Sequence, residues 1–392
     1  MSTAGSDLSP HEAQVLGWLA AQKDAMVALL RDVVNIDSGS YDKAGVDAVG
    51  ARFLAFFAEH GLPTTVEPNA TFGDALHIRL DDVARNERPV LLMGHRDTVF
   101  PKGEVARRPF RIEDGKAYGP GVADMKAGLV LNAFVMAALK RFGSPVPVIG
   151  LITSDEEIAS PSSRPIIERV ARSARCVLNS EPGRPSGNIV TGRKGGVFMA
   201  FEVTGKAAHS GGNFEKGISA IGEIAHKIVA LHALTGLRPG ITVNVGLVKG
   251  GQSVNTTAPL AEGQIDLRYV KREDRVVALA VIEEIIAKTY VAGTSARLEI
   301  RGEFLPLDAG EAAAELFATY QAAAAQAGLK IEGEFTGGCA DSGFTAAVGC
   351  PTLCATGPVG ANAHTPEEVL ELDSIVPRAQ TAALTILRLP AQ

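Results

Sequence analysis

Five residues whose side chains can bind a divalent metal stand where apolar runs end. Pro89-Val-Leu-Leu-Met93 runs into Gly94-His95-Arg96-Asp97, residues 147–153 run into Ser154-Asp155-Glu156-Glu157, and Cys176-Val-Leu178 runs into Asn179-Ser180-Glu181. Thr352-Leu-Cys-Ala355 leads through a glycine-containing loop to His364. Asp124 lies between the glycines of Gly119-Pro-Gly-Val-Ala-Asp-Met-Lys-Ala-Gly128 and an apolar helical pattern through Leu129, Val130, Ala133, Phe134 and Ala137. Imidazole nitrogen and carboxylate oxygen are zinc donors, and a catalytic zinc site keeps one position for water. Short apolar runs alternating with helical patterns imply a parallel sheet covered on both faces. Open sheets of this kind bind ligands outside the carboxyl ends of their strands. His95, Asp124, Glu157, Glu181 and His364 are therefore expected to converge on one sheet edge. Each also has a plain structural alternative: Asp124 as a helix N-cap, His95-x-Asp97 as a polar strand end, Glu156-Glu157 as a solvated acidic turn.

The pieces GHRDTV, GPGVADMKAG, TSDEEI, NSEPG, GKAAHSGG, TGGCADSG and NAHTPEE occur in this order. Together they resemble the two-zinc hydrolase family of glutamate carboxypeptidases, aminoacylases, acetylornithine deacetylases and related dipeptidases, over residues 25 to 387 or so. The resemblance implies two Zn2+ ions, or other divalent metals such as Co2+ or Mn2+. It implies that His95 and Glu181 hold one ion, Glu157 and His364 the other, and that Asp124 bridges both. Asp97 is two residues from His95, so on an extended segment both side chains point the same way. There Asp97 would accept the other ring N–H of His95 and fix its tautomer. Four positive charges on two zincs are balanced by three carboxylates and one hydroxide, and metal binding brings the pKa of water down to roughly 7. Glu156, not needed as a ligand, is then free to take the water proton and pass it to the leaving amine.

Three further positions match the family. His209 would polarise the scissile carbonyl, although a lone histidine after a strand is otherwise a surface or core residue. Arg268, with Asn255, would hold a substrate carboxylate, a task that suits the planar guanidinium fork. The resemblance further implies a cis peptide at Asp124-Met125, and a homodimer that places His209 over the partner's metals. The expected reaction is hydrolysis of the amide bond to a free C-terminal amino acid, most like the glutamate carboxypeptidases. An N-acyl amino acid deacylase would use the same machinery, and a catalytically silent metal-binding protein is the more distant reading. One departure bears on the substrate. Where glutamate carboxypeptidases carry a basic residue on the strand before an Ala-Gly pair, this chain has Phe304, with Arg301 three positions away, so a preference for acidic side chains does not follow.

The elements that must position these residues can be read from periodicity. Residues 11–34 carry one amphipathic helical pattern, residues 46–60 a second, residues 75–80 a strand, and residues 110–118 a hairpin through Asp114-Gly115. Strand, helix, two strands, helix and strand follow at 197–204, 217–234, 241–248, 260–270, 275–290 and 296–304. This β-α-β-β-α-β order is ferredoxin-like. The chain returns with a helix at 311–327, a loop at 337–342, the strand before His364 and a helix from about 375. The expectation is an α/β protein: a zinc-peptidase-like catalytic domain of residues 1–194 and 306–392 with a mostly parallel sheet covered by helices, and an inserted ferredoxin-like dimerisation or lid domain of residues 195–305.

Composition agrees with that scale. A chain of 392 residues, 46% hydrophobic and 21% charged, can bury two ordinary globular cores. A net charge of −6 argues against a nucleic-acid surface and leaves small molecules, peptides or N-acyl amino acids as partners. No run is expected to reach the ~20 apolar residues that span a bilayer. Residues 1–10 lack a basic stretch followed by an apolar one, so the expected location is cytoplasmic. Four cysteines make no disulfide framework in a chain this long, and Cys350 with Cys354 would be half a zinc site without its second pair; all four read as reduced and mostly buried. Asn69-Ala-Thr71 and Asn255-Thr-Thr257 match a glycosylation pattern that matters only on a secretory route.

Overall fold

Short runs of valine, leucine and isoleucine that are buried on both faces suit the middle strands of a covered sheet. The computed structural model, which describes residues 8–80, 87–308 and 310–390, places four such runs side by side. Val148–Thr153, Val90–His95, Cys176–Asn179 and Thr352–Cys354 are parallel neighbours. Antiparallel strands extend the sheet on each side, so its full order is Thr64–Glu67, Ala75–Leu80, the four parallel strands, Ile189–Arg193 and Gly333–Thr336. The sheet is thus mixed, parallel at its centre.

Helix Ala127–Phe142 is the main support of this sheet. It is buried continuously from Ala127 to Leu139, as a helix apolar on every face must be. The segment Val122–Phe142, 21 residues, is long and apolar enough to cross a membrane. This corrects the expectation that no run is; burial in the protein core accounts for its composition. Helices Pro10–Ala21, Lys23–Val34 and Ile375–Leu387 pack around it. The first two replace the single helix expected over 11–34. The chain bends at Gln22 (φ −95°, ψ 5°), and each half packs its apolar stripe on a different set of neighbours, which the unbroken periodicity does not reveal.

A small antiparallel sheet of Arg111–Glu113, Lys116–Tyr118, Val369–Glu371 and Gly360–Ala361 stands beside this core. Its hairpin turns at Asp114 (φ 50°) and Gly115 (φ 77°), the left-handed pair expected from the Asp-Gly sequence. Helices Ser163–Ser173 and Ser342–Ala347 and strands Thr64–Glu67, Ile189–Arg193 and Gly333–Thr336 were not legible from periodicity. They are short, and several lack an apolar stripe of their own.

The described residues divide into two compact units. The first runs to Gly192, resumes at Leu307–Phe335 and again from Ala340; the second takes Arg193–Pro306 and Thr336–Cys339. In the second, strands Gly195–Thr204, Thr242–Gly250, Leu260–Tyr269 and Ser295–Phe304 and helices Ala220–His232 and Arg272–Ala287 follow the β-α-β-β-α-β order. All pairings are antiparallel, and the sheet order is Thr242–Gly250, Leu260–Tyr269, Gly195–Thr204, Ser295–Phe304. Alternate residues of the central strands, such as Val197, Met199 and Phe201, meet Ile224, Leu231, Ile282 and Ile286 of the helices. All four cysteines are free, and only Cys339 is not buried.

Candidate metal centre

His95 is the last residue of strand Val90–His95 and is 1% exposed. Its Nδ1 lies 3.1 Å from the Asp97 carbonyl oxygen and 3.3 Å from Asp97 Oδ1. Asp97 does more than face this ring: its carboxylate accepts Ser40 Oγ at 2.7 Å and the backbone N–H groups of Glu156 and Glu157 at 3.2 Å each. One buried carboxylate therefore holds both the His95 ring and the turn that follows strand Val148–Thr153.

The other ring nitrogen, His95 Nε2, is buried without a hydrogen bond. Around it stand Asp124 Oδ1 at 3.3 Å, Glu181 Oε1 at 3.7 Å and Glu156 Oε2 at 3.8 Å. His364 Nε2 lies 3.3 Å from Asp124 Oδ2 and 3.1 Å from Glu157 Oε2. Asp124 thus presents one oxygen to each histidine. The donor atoms of His95, Asp124 and Glu157, and those of His95, Glu156 and Glu181, each lie within 4.8 Å of one another. All five ligand-type residues are brought together at the carboxyl edge of the parallel strands. Glu156 joins them as near to His95 as Glu181 does.

Close backbone approach makes this convergence possible. A Cβ on Gly128 would fall 1.8 Å from the Ser180 carbonyl oxygen, so only glycine lets the helix after Asp124 lie against the segment before Glu181. The Asp124-Met125 peptide is cis. Glu368 accepts the backbone N–H groups of Gly121, Ala123 and Asp124. Asp341 accepts Ser160 Oγ and so holds the far end of the turn that carries Glu156 and Glu157. Glu368 and Asp341 lie inside NAHTPEE and TGGCADSG, yet no role for them was read from sequence; an acidic residue in a polar loop was the only available signal.

Charge is out of balance here. Burial works against a charged His95 ring, but Glu156, Asp124, Asp97 and Glu181 outweigh it and push its pKa well above the usual histidine value. Burial likewise raises Asp124, yet the His364 and His95 rings beside its two oxygens prevail and hold it well below the carboxylate range. Glu157 is pushed up to about 7 by burial and by Asp124. Burial pushes Glu156 well above its ordinary value, and Glu181, Asp341 and Glu157 add to the effect against His95. His364 rises to about 10 through its bonds to Asp124 and Glu157. Four carboxylates packed around two imidazoles call for positive charge, and a buried donor nitrogen without a partner marks where it would sit. The residues present therefore fit divalent metal.

The second unit holds the remaining three. His209 is exposed, and its Nδ1 accepts the N–H groups of Gly211 and Gly212 at 3.1 Å each, which puts the proton of a neutral ring on Nε2. A backbone bridge between His209 and Thr256, with Ser210 N–H donating to the Asn255 carbonyl at 2.9 Å, brings Asn255 beside it. Arg268 donates from Nε to Asp266 at 2.7 Å and from Nη1 to Cys339 Sγ, and its guanidinium lies 5.1 Å above the Phe198 ring. Phe304 is 6% exposed and meets Phe198 edge to face.

The sequence profile of Peptidase family M20/M25/M40 matches residues 91–388. Carboxypeptidase G2 of Pseudomonas sp. (strain RS-16) is 30% identical over 399 residues, covering 99% of this chain and 95% of the relative. Acetylornithine deacetylase of Edwardsiella ictaluri (strain 93-146) is 28% identical, covering 91% of this chain and 95% of the relative. Among solved structures, the metallo-carboxypeptidase Sso-CP2 of Sulfolobus solfataricus shares the fold with a TM-score of 0.77 at 18% identity, covering 92% of this chain and 98% of that one.

Proposed function

The chain belongs to peptidase family M20/M25/M40, and from that premise we propose that this hydrolase uses two metal ions to release a free C-terminal amino acid from a peptide or N-acyl substrate. The observation that carries the reading is the buried, unbonded His95 Nε2 among the carboxylates of Asp124, Glu156 and Glu181. His95 and Glu181 would hold one ion and Glu157 and His364 the other, with Asp124 shared. When bound, zinc, or cobalt or manganese in its place, supplies Lewis acidity and lowers the pKa of water.

The chain's own residues do the rest. Asp97 keeps the His95 ring oriented and holds the Glu156 backbone at the same time. Glu156 takes the proton of the attacking water and delivers it to the leaving amine, a role suited to a carboxyl whose pKa burial has raised. His209, with its proton on Nε2, donates to the scissile carbonyl oxygen. Arg268 and Asn255 hold the substrate carboxylate. Phe304, packed on Phe198, puts no base at that position, so apolar or aromatic side chains are expected to be accepted.

A homodimer through residues 195–305 belongs to the same reading. Edge strand Thr242–Gly250 exposes Leu247 (63%) and Val248 (58%), and helix Ala220–His232 exposes Val229 (73%). An open edge with apolar side chains invites pairing, and a second copy is the occupant proposed here. Similarity to acetylornithine deacetylase favours one second reading, an N-acyl amino acid deacylase with the same residues in the same roles. The deciding experiment is a panel of dipeptides and N-acyl amino acids varied separately on each side of the amide, with metal supplied and products weighed by mass spectrometry. Release of C-terminal residues from peptides supports the carboxypeptidase; cleavage confined to N-acyl amino acids supports the deacylase; no turnover of either overturns both.

A further inference from the structure

Glu368 is 1% exposed, and both of its carboxylate oxygens accept backbone N–H groups. Oε2 accepts the N–H of Gly121 at 2.9 Å; Oε1 accepts those of Ala123 at 2.8 Å and Asp124 at 2.9 Å. These amides belong to the turn just before the helix that begins at Ala127. The turn they form delivers Asp124, whose two oxygens face His95 and His364.

Glu368 also closes the loop that carries His364. Its N–H donates to the Thr365 carbonyl, Thr365 Oγ1 donates to the Asn362 carbonyl, and Asn362 Nδ2 donates to the Glu367 carbonyl. His364 itself stands at φ 65°, a left-handed conformation that this tight loop must hold. Both segments spring from adjacent strands, since Val369–Glu371 pairs with Lys116–Tyr118. A single side chain therefore joins the turn before Asp124 to the loop behind His364.

We propose that Glu368 is a positioning residue that sets the Asp124 turn and the His364 loop in their relative place before metal arrives. The inference rests on the reading that Asp124 and His364 are metal ligands. A carboxylate suits the task because both of its oxygens accept. In glutamine one end becomes a donor, and at least one of the three amides would face another N–H.

Two measurements test this. In the wild-type enzyme stripped of metal, hydrogen exchange read on peptides spanning residues 119–126 should already show protection of the clamped amides, with little further slowing on adding zinc. Amides that exchange as in an unprotected chain until zinc is restored would show that the ion orders the turn, and would overturn the proposal. The Glu368→Gln variant should bind zinc roughly 10- to 100-fold more weakly, the range for losing a group that orients a ligand. At saturating zinc its KM should match the parent, and kcat should recover to within about threefold, because Glu368 touches no reacting atom. Arg388→Gln, which loses an ion pair to Glu12 between the outer helices, serves as the control with unchanged zinc affinity. Folded Glu368→Gln with parental zinc affinity would overturn the proposal. A wild-type protein that binds no zinc would instead sink the metal reading, while the exchange pattern would still decide whether Glu368 is the clamp.

Discussion

An imidazole nitrogen buried without a hydrogen bond among three carboxylates is a costly arrangement unless a cation shares the space. On the proposed reading, Glu156 as base and Asp124 as shared ligand are separated by experiment. Glu156→Gln should retain both metals, measured by elemental analysis, yet lose at least ~10²-fold in kcat, the lower range for removal of a general base. Unimpaired turnover of the metal-loaded variant would show that the base lies elsewhere. Asp124→Ala should behave in the opposite way and release metal on dialysis, because Asp124 faces both histidines. Two tightly held ions in that variant would dismiss the shared ligand. The ligand-type residues were legible because a parallel sheet must gather its strand ends on one edge. Glu368 was not. Its role depends on an amide 244 residues earlier in the chain, and no local pattern encodes a bond of that separation.

Helices and strands were legible where one side chain pattern ran long enough to choose a face, as in the second unit, and obscure where the element was short. Close approach between elements was equally obscure. Gly128→Ala would place a Cβ 1.8 Å from the Ser180 carbonyl, so helix and strand end must separate. A loss of at least about 1–3 kcal/mol in denaturant unfolding, the usual range for overpacking, is expected together with weaker zinc binding. The second unit offers a test of a different kind. Glu223 and Lys227, both 1% exposed, pair at 2.8 Å on helix Ala220–His232. Glu223 accepts the N–H groups of Tyr290 and Val291, while Lys227 donates to the carbonyls of Ile285 and Ile286 at the end of helix Arg272–Ala287. Burial raises the Glu223 pKa, but Lys227 and the two amides prevail and leave it below the ordinary value of 4.5. A carboxyl whose pKa falls on folding stabilises the protein above its unfolded pKa, and that contribution is lost as pH drops through the folded pKa. Glu223→Gln should therefore be less stable than wild type by roughly 3–5 kcal/mol at pH 7, the cost of breaking a buried pair. The part of this gap that comes from the carboxylate charge should disappear as pH falls below the ordinary carboxylate range, so the gap should narrow. A gap independent of pH would assign the loss to packing.

At the scale of the whole molecule, the proposed chemistry draws on residues of two compact units, and the question is whose units would cooperate. Metal-type residues lie in the first, while His209, Asn255 and Arg268 lie in the second. The resemblance read from the motifs implies that His209 serves the metals of the partner copy. Edge strand Thr242–Gly250, with Leu247 and Val248 exposed, is the surface proposed above for a second copy. Two inactive proteins, His209→Ala and Glu156→Gln, can then be mixed under conditions that exchange subunits. With random pairing half of the dimers are mixed, and each mixed dimer holds one site with Glu156 from one copy and an intact His209 from the other. Activity should return to about a quarter of wild type, as a symmetric two-site dimer requires. If His209 serves its own copy, no pairing restores both residues to one site, and mixed dimers verified by mass spectrometry would stay inactive.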